Sequence, residues 1–138
     1  MSAGQFLNPK SVHKPVGTYS HAVLVKDGQL LVIAGQVPID KKGDIVGRGD
    51  FRKQARQVFK NMEAILRDAG GDLSDVIKLN FYVTDMRDRD TLREVLGEFF
   101  GTDYPPATLV GVTSLAHREF LVEIEALALV KKVKGRTG

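Results

Sequence analysis

Polar and apolar positions alternate, then recur at helical spacing, then alternate again along this chain of 138 residues. The first patterned stretch is YSHAVLVKDGQLLVIAG, from Tyr19 to Gly35. Two β-rich runs flank Asp27-Gly28, a dipeptide suited to a two-residue type I′ turn, so the stretch predicts a hairpin. The segment VPIDKKGDIVGRGD carries Pro38, Gly43, Gly47 and Gly49 and reads as a loop. Beyond it, Asp50 suits an N-cap, and Phe51, Ala55, Val58, Phe59, Met62, Ile65, Leu66 and Ala69 recur every three or four residues. That spacing makes one buried helical face. Gly70 is a natural residue to end such a helix, because it turns left-handed without a Cβ penalty.

VIKLNFYV then alternates, with Ile77, Leu79, Phe81 and Val83 on one face of a strand. A second helix opens at Asp88 or Asp90, buries Leu92, Val95, Leu96, Phe99 and Phe100, and closes at Gly101. Pro105 and Pro106 force an extended entry to another strand, and FLVEIEALALV forms a long last one. The predicted order is ββαβαββ in a single α/β (α+β) domain. Strand–helix–strand units place both helices on one face of a mixed sheet. The other face of the last strand presents Leu121, Leu127 and Leu129 beside Glu123 and Glu125. Those leucines need a cover that the helices do not supply, and a second copy of the chain is the simplest one. A homo-oligomer is therefore expected.

Composition narrows the function classes. With no cysteine, thiolate nucleophiles, disulfides and Cys-based zinc sites are excluded. No apolar run approaches the length of a membrane span, and the N-terminus lacks a secretory pattern, so the expected setting is cytoplasmic. The formal charge of +3 comes from the end of the chain, where Lys131, Lys132, Lys134 and Arg136 cluster; the remainder is near neutral. A nucleic-acid footprint is therefore not expected. Residues 1–14 read as an N-terminal segment, 15–130 as the domain and 131–138 as a basic tail, with both ends expected to be poorly ordered.

Candidate chemistry is sparse. Glu123 and Glu125 leave the same face of one strand about 7 Å apart. Placed along a single strand, they are poorly arranged to flank a glycosidic bond. Glu125 reads as an ion-pairing residue at a subunit contact, and Glu123 stays open. His13, His21 and His117 have no ligand-like spacing, and the loop glycines fit neither a dinucleotide fingerprint nor a P-loop. No metal site is expected.

Five collinear motifs carry more. GTYSHAV (Gly17–Val23), IAGQVPID (Ile33–Asp40), QARQVFKNMEAILRDAGGDLSDVIKLNFYVTDM (Gln54–Met86), EFF before YPPATLVGV, and VEIEALA (Val122–Ala128) together resemble the reactive-intermediate deaminase family, also called RidA, YjgF or UK114. The resemblance spans roughly residues 15–130. It implies a chorismate-mutase-like ββαβαββ subunit and a homotrimer that binds small molecules in clefts between subunits. It also implies hydrolysis of imines or enamines, typically 2-imino acids to keto acids and ammonia, with no cofactor.

In the family pattern an arginine on the strand after the paired prolines grips the substrate carboxylate, and a backbone amide two residues on assists. The resemblance puts Ala107 at the arginine's place and Leu109 at the amide's. Glu123 matches a water-orienting glutamate, Tyr19 a cleft tyrosine and Gly35 a cleft glycine. Arg93 stands where an asparagine is usual, and His21 where a glutamine is usual. Losing a charge-assisted contact of about 1.5–3 kcal/mol implies weak or no activity on 2-iminopropanoate. Arg93, or a protonated His21, is the nearest available replacement cation. The alternative expectation is a trimeric binding or sensing protein with vestigial chemistry.

Overall fold

The computed structural model describes residues 4–131. Its elements are β1 (Gly4–Leu7), β2 (Ala22–Val25), β3 (Gln29–Gln36), α1 (Phe51–Asp68), β4 (Val76–Val83), α2 (Arg89–Phe100), β5 (Ala107–Gly111) and β6 (Val122–Val130). The expected ββαβαββ order is present from β2 to β6, and β1 precedes it. Four strands form a mixed sheet in the order β3-β6-β4-β5, and β1 pairs with β2 in a separate two-stranded sheet. In the main sheet β6 runs antiparallel to both neighbours, whereas β4 and β5 are parallel and joined through α2.

Three local expectations change. The hairpin across Asp27-Gly28 does not form: β2 pairs with β1 and β3 pairs with β6. Asp27 keeps a negative φ, so the turn is not type I′; only Gly28 is positive there, at 151°. The N-terminal segment, expected to be a poorly ordered end, holds β1 in register with β2 from Gly4↔Val25 to Leu7↔Ala22. A four-residue strand has too little period to be read from one sequence. The basic tail beyond Lys131 lies outside the described residues.

One face of the main sheet builds the core. Leu79, Phe81 and Val83 of β4 and Val122, Ile124 and Ala126 of β6 are buried beneath both helices. The stripe of α1 is buried from Phe51 to Leu66. Asp50 caps that helix, its carboxylate accepting from the Lys53 N–H at 3.1 Å. Gly70 ends it with φ 87°. Phe59 of α1 stacks on Phe99 of α2, with ring centroids 5.0 Å apart, and meets Phe100 edge-on. Outside this contact, Arg56 and Glu98 form a two-pronged ion pair between the helices. Being exposed and screened by solvent, that pair adds little to stability.

The opposite face is not covered as the sequence suggested. Leu121 packs against the core, and Leu129 is already buried within one chain. Leu127 is half-buried. The exposed apolar side chains here are their cross-strand partners on β3: Leu30, 61% exposed opposite Leu129, and Val32, 69% exposed opposite Leu127. Glu125 accepts from the Tyr82 hydroxyl at 2.6 Å and the Asn80 amide at 3.0 Å, so its partners lie within the chain. That bond raises the Tyr82 pKa, because ionising the hydroxyl would set two negative charges together.

Gln54 sits on the stripe of α1 and is fully buried. Its amide donates to the carbonyls of Gly47 and Glu119 and accepts from the Leu121 N–H. It therefore ties the loop before α1 to the start of β6. Gln54→Ala strands a buried donor and two acceptors, each costing about 1–3 kcal/mol. Urea unfolding should show a loss of at least ~2 kcal/mol, and a loss below ~0.5 kcal/mol would mean that water replaces the amide.

Candidate functional site

Pairing within the sheet decides where the candidate residues point. Ala107 is in register with Leu79 and Leu109 with Phe81, so both share the helix-covered face. Glu123 is in register with Tyr82, on the opposite face. One chain therefore holds two groups of candidate residues rather than one convergent site.

The first group surrounds a cavity of about 160 Å³. Phe81, Ala107 and Leu109 form its floor, and Leu92, Leu96, Arg89 and Arg93 of α2 form one wall. Val16, Gly17, Thr18 and Tyr19 close it from above. This covering stretch is fastened to the approach of β5: the Ser20 hydroxyl donates to the Tyr104 carbonyl at 2.7 Å, and Ser20 bridges to Pro106. The Tyr19 hydroxyl accepts from the Val16 N–H at 3.3 Å. β5 is an edge strand. The Leu79 N–H donates to the Pro106 carbonyl and the Val112 N–H to the Val83 carbonyl. Because parallel ladders alternate, these two bonds aim even-numbered groups at β4. The Leu109 N–H then points to the free edge.

Arg93 is not a plain solvated helix residue. Its guanidinium lies against Gly17, where a Cβ would sit 3.3 Å from Nη2, and its side chain is 40% exposed. Its ion pair with Asp90 is long, at 3.7 Å, and the Asp90 side chain is 82% exposed. His21 does not line the cavity. Its Nε2–H donates to the His13 carbonyl at 2.5 Å, and its ring packs edge-on to Tyr19 at 5.7 Å. Sequence reading missed Arg89; its i, i+4 spacing from Arg93 was the available signal.

The second group is Gly35 and Glu123. The β3–β6 register shifts between Ile33 and Gln36, placing Gly35 in a bulge. A Cβ at Gly35 would run into the Glu123 carboxylate, so any larger residue there would push that side chain aside. That carboxylate makes no hydrogen bond or ion pair among the described residues. Among them, too, no group of three or more His, Cys, Asp or Glu is placed to hold a metal, and no helix is long and apolar enough to cross a membrane.

Comparison with known proteins now gives the lineage. Residues 10–130 match the family model described as Endoribonuclease L-PSP. A RutC family protein of Pyrococcus horikoshii is 46% identical over 115 residues, covering 83% of this chain and 89% of that one. A 2-iminobutanoate/2-iminopropanoate deaminase of Dermatophagoides farinae is 30% identical over 95% of this chain and all of its own length. Among solved structures, a Rid family protein of unknown function from Yersinia pestis superposes with a TM-score of 0.86 at 33% identity, covering 93% of this chain and 99% of that one. RidA from Psychrobacter gives 0.69 at 37%, covering 91% and 99%. The chain belongs to the reactive-intermediate deaminase (RidA/YjgF/UK114) family.

The turn that leads into the arginine-bearing wall is itself electrostatic. Arg87 donates to the Asp85 carboxylate, and this bond, with the Arg87 backbone N–H, lowers the Asp85 pKa to about 2. A depressed carboxyl stabilises the fold above its ordinary value of 3.8, and the contribution is lost as pH falls through about 2. With the Arg87 side chain 91% exposed, the effect is small and screened by salt. Carboxyl NMR should find Asp85 titrating near 2, and Arg87→Gln should return it toward 3.8. An unshifted Asp85 in the parent would show that the turn is not held this way.

Proposed function

We propose that the chain is a hydrolytic deaminase of a reactive imine or enamine, working in clefts completed by a second copy within a homotrimer. The observation that carries this reading is the unpartnered Glu123 carboxylate pressed against Gly35, in a family whose relatives include named 2-iminobutanoate/2-iminopropanoate deaminases. Glu123 orients a water whose oxygen adds to the imine carbon. The C=N π electrons move to nitrogen, which takes up a proton and gives a carbinolamine. Collapse of that adduct re-forms C=O, and nitrogen leaves with a further proton as ammonia. The net change is imine plus water to carbonyl plus ammonia, and no cofactor enters the balance.

Because Glu123 faces away from the cavity of its own chain, a neighbouring copy has to bring Glu123 and Gly35 to the rim formed by Tyr19, Ala107 and the Leu109 amide. The exposed Leu30 and Val32 share a face with Glu123 and supply the apolar contact for such a neighbour. In this reading residues 15–130 are the catalytic domain, and the setting is the cytosol. Ala107 leaves the substrate carboxylate without a grip from β5, so turnover of 2-iminopropanoate is weak.

Two experiments test the reading. Ammonia release from freshly generated imines should be detectable for at least one substrate and should fall about 100-fold or more in Glu123→Gln, the scale of a lost general acid–base group. Ala107→Arg should raise turnover of 2-iminobutanoate. A folded Ala107→Arg protein with no gain, and a parent inert on every imine, would leave a binding protein with vestigial chemistry. In sedimentation the parent should run as a trimer, and Val32→Asp should shift it toward monomer, since a buried unpaired charge costs several kcal/mol. A monomeric parent at micromolar concentration would end the shared-cleft model.

A further inference from the structure

The lining of the cavity is apolar on both the sheet and the helix side, with its charge confined to two positions on α2. Phe81, Leu92, Leu96, Ala107 and Leu109 are apolar, and no carboxylate belongs to the lining. The positive charge comes from α2 alone, through Arg89 and Arg93. These residues are one helical turn apart on the same face, roughly 6 Å between Cβ atoms, close enough for both to reach one carboxylate. The Arg89 guanidinium makes no hydrogen bond or ion pair among the described residues. Arg93 is braced on the Gly17 backbone and tied only loosely to an exposed Asp90. Both are thus available to an incoming anion at little cost in lost partners. The volume of about 160 Å³ is close to that of an engineered cavity that accepts benzene, about 150 Å³.

We infer that this pocket selects carboxylates carrying a ring-sized or branched apolar group, the carboxylate held by Arg93 and Arg89 at the α2 wall and the apolar group lodged on Phe81, Leu96 and Ala107. The inference rests on the cavity being the substrate cleft, as proposed above, and names the substrate class: 2-imino acids, or their enamine tautomers, with a bulky apolar side chain. Small Ala107 is then a specificity-determining residue. It leaves open a space that an arginine would occupy, and the anion is gripped from the helix side.

Binding separates this from the deaminase reading, because it needs no turnover. The probes are 3-phenylpropanoate, propanoate and the uncharged 3-phenylpropanamide, titrated calorimetrically into the intact protein. The parent should bind 3-phenylpropanoate at least about tenfold more tightly than either of the others. Arg89→Gln/Arg93→Gln should erase about tenfold of that affinity, the scale of a charge-assisted contact, and leave 3-phenylpropanamide within twofold. Ala107→Leu should weaken 3-phenylpropanoate more than propanoate. Equal binding of the two acids by the parent, or an unchanged affinity in the double glutamine variant, overturns the inference even if some imine is hydrolysed. Arginine-dependent binding with no ammonia release from any imine upholds the pocket's selection of bulky apolar carboxylates and removes both the deaminase reading and 2-imino acids as its substrates. Circular dichroism shows whether each variant is folded, and the salt dependence of 3-phenylpropanoate binding by the parent tests the charge contact without any substitution.

Discussion

The main sheet is built around β6, which is hydrogen bonded along both edges, to β3 on one side and β4 on the other. A central strand has no freedom to slip, since a one-residue shift would exchange its two faces. Val122, Ile124, Ala126 and Ala128 are locked into the core, and the same register obliges Glu123 and Glu125 to face away from the helices. Burying four apolar residues thus fixes the direction of two carboxylates. The bulge in β3 works against this fixed strand: the extra residue beside Gly35 brings bare backbone up to Glu123.

The two glutamates, two residues apart on one strand, are made different by their neighbours. Glu125 accepts from the neutral donors Tyr82 and Asn80 of β4 at one carboxylate oxygen, and it closes a small polar network within the chain. Glu123 lies opposite Tyr82 in register but has no donor among the described residues, and a glycine rather than a side chain faces it. Among the described residues, Glu125 is thus anchored by two donors and the half-buried Glu123 carboxylate by none. Strand periodicity alone sets the two residues equal; the bulge and the cross-strand pairing separate them.

How much of this was legible in the sequence follows from the range of each signal. Both helices, the ends of α1 at Asp50 and Gly70 and the alternation of β6 and of β4 from Leu79 are set by neighbours within a few residues and stand where the periodicity put them; at the start of β4 a register shift buries Val76 in place of Ile77. Pairing partners are long-range, and there the reading failed: Asp27-Gly28 suits a hairpin turn, yet β1 takes β2 and β6 takes β3. Gln54 looks polar in a list of residues but lies at 0% exposure, because the carbonyls it satisfies come from Gly47 and from Glu119, 65 residues away. The collinear motifs gave the family because they reflect the whole sheet at once. They could not show that Tyr19 and Ala107 stand on one side of that sheet and Glu123 on the other.

The arginines of α2 show the same limit in electrostatic form. On a helical wheel Arg89 and Arg93 are two cations on a polar face, and nothing local distinguishes them from Arg52 and Arg56 on α1. Tertiary contact does: Arg52 and Arg56 are matched by Glu94 and Glu98 across the helix pair, whereas Arg89 and Arg93 line an apolar cavity, and among the described residues the ion pair there is the long one of Arg93 with Asp90. Positive charge above low-dielectric walls attracts an anion more strongly than the same charge in open solvent, because fewer waters screen it. A carboxylate arriving there would meet guanidinium groups on the helix and the outward Leu109 N–H on the strand edge, with an apolar floor between them. The positive charge of this pocket therefore lies on the helix side, at Arg89 and Arg93, while β5 contributes only the small Ala107 and the apolar Leu109 to the lining.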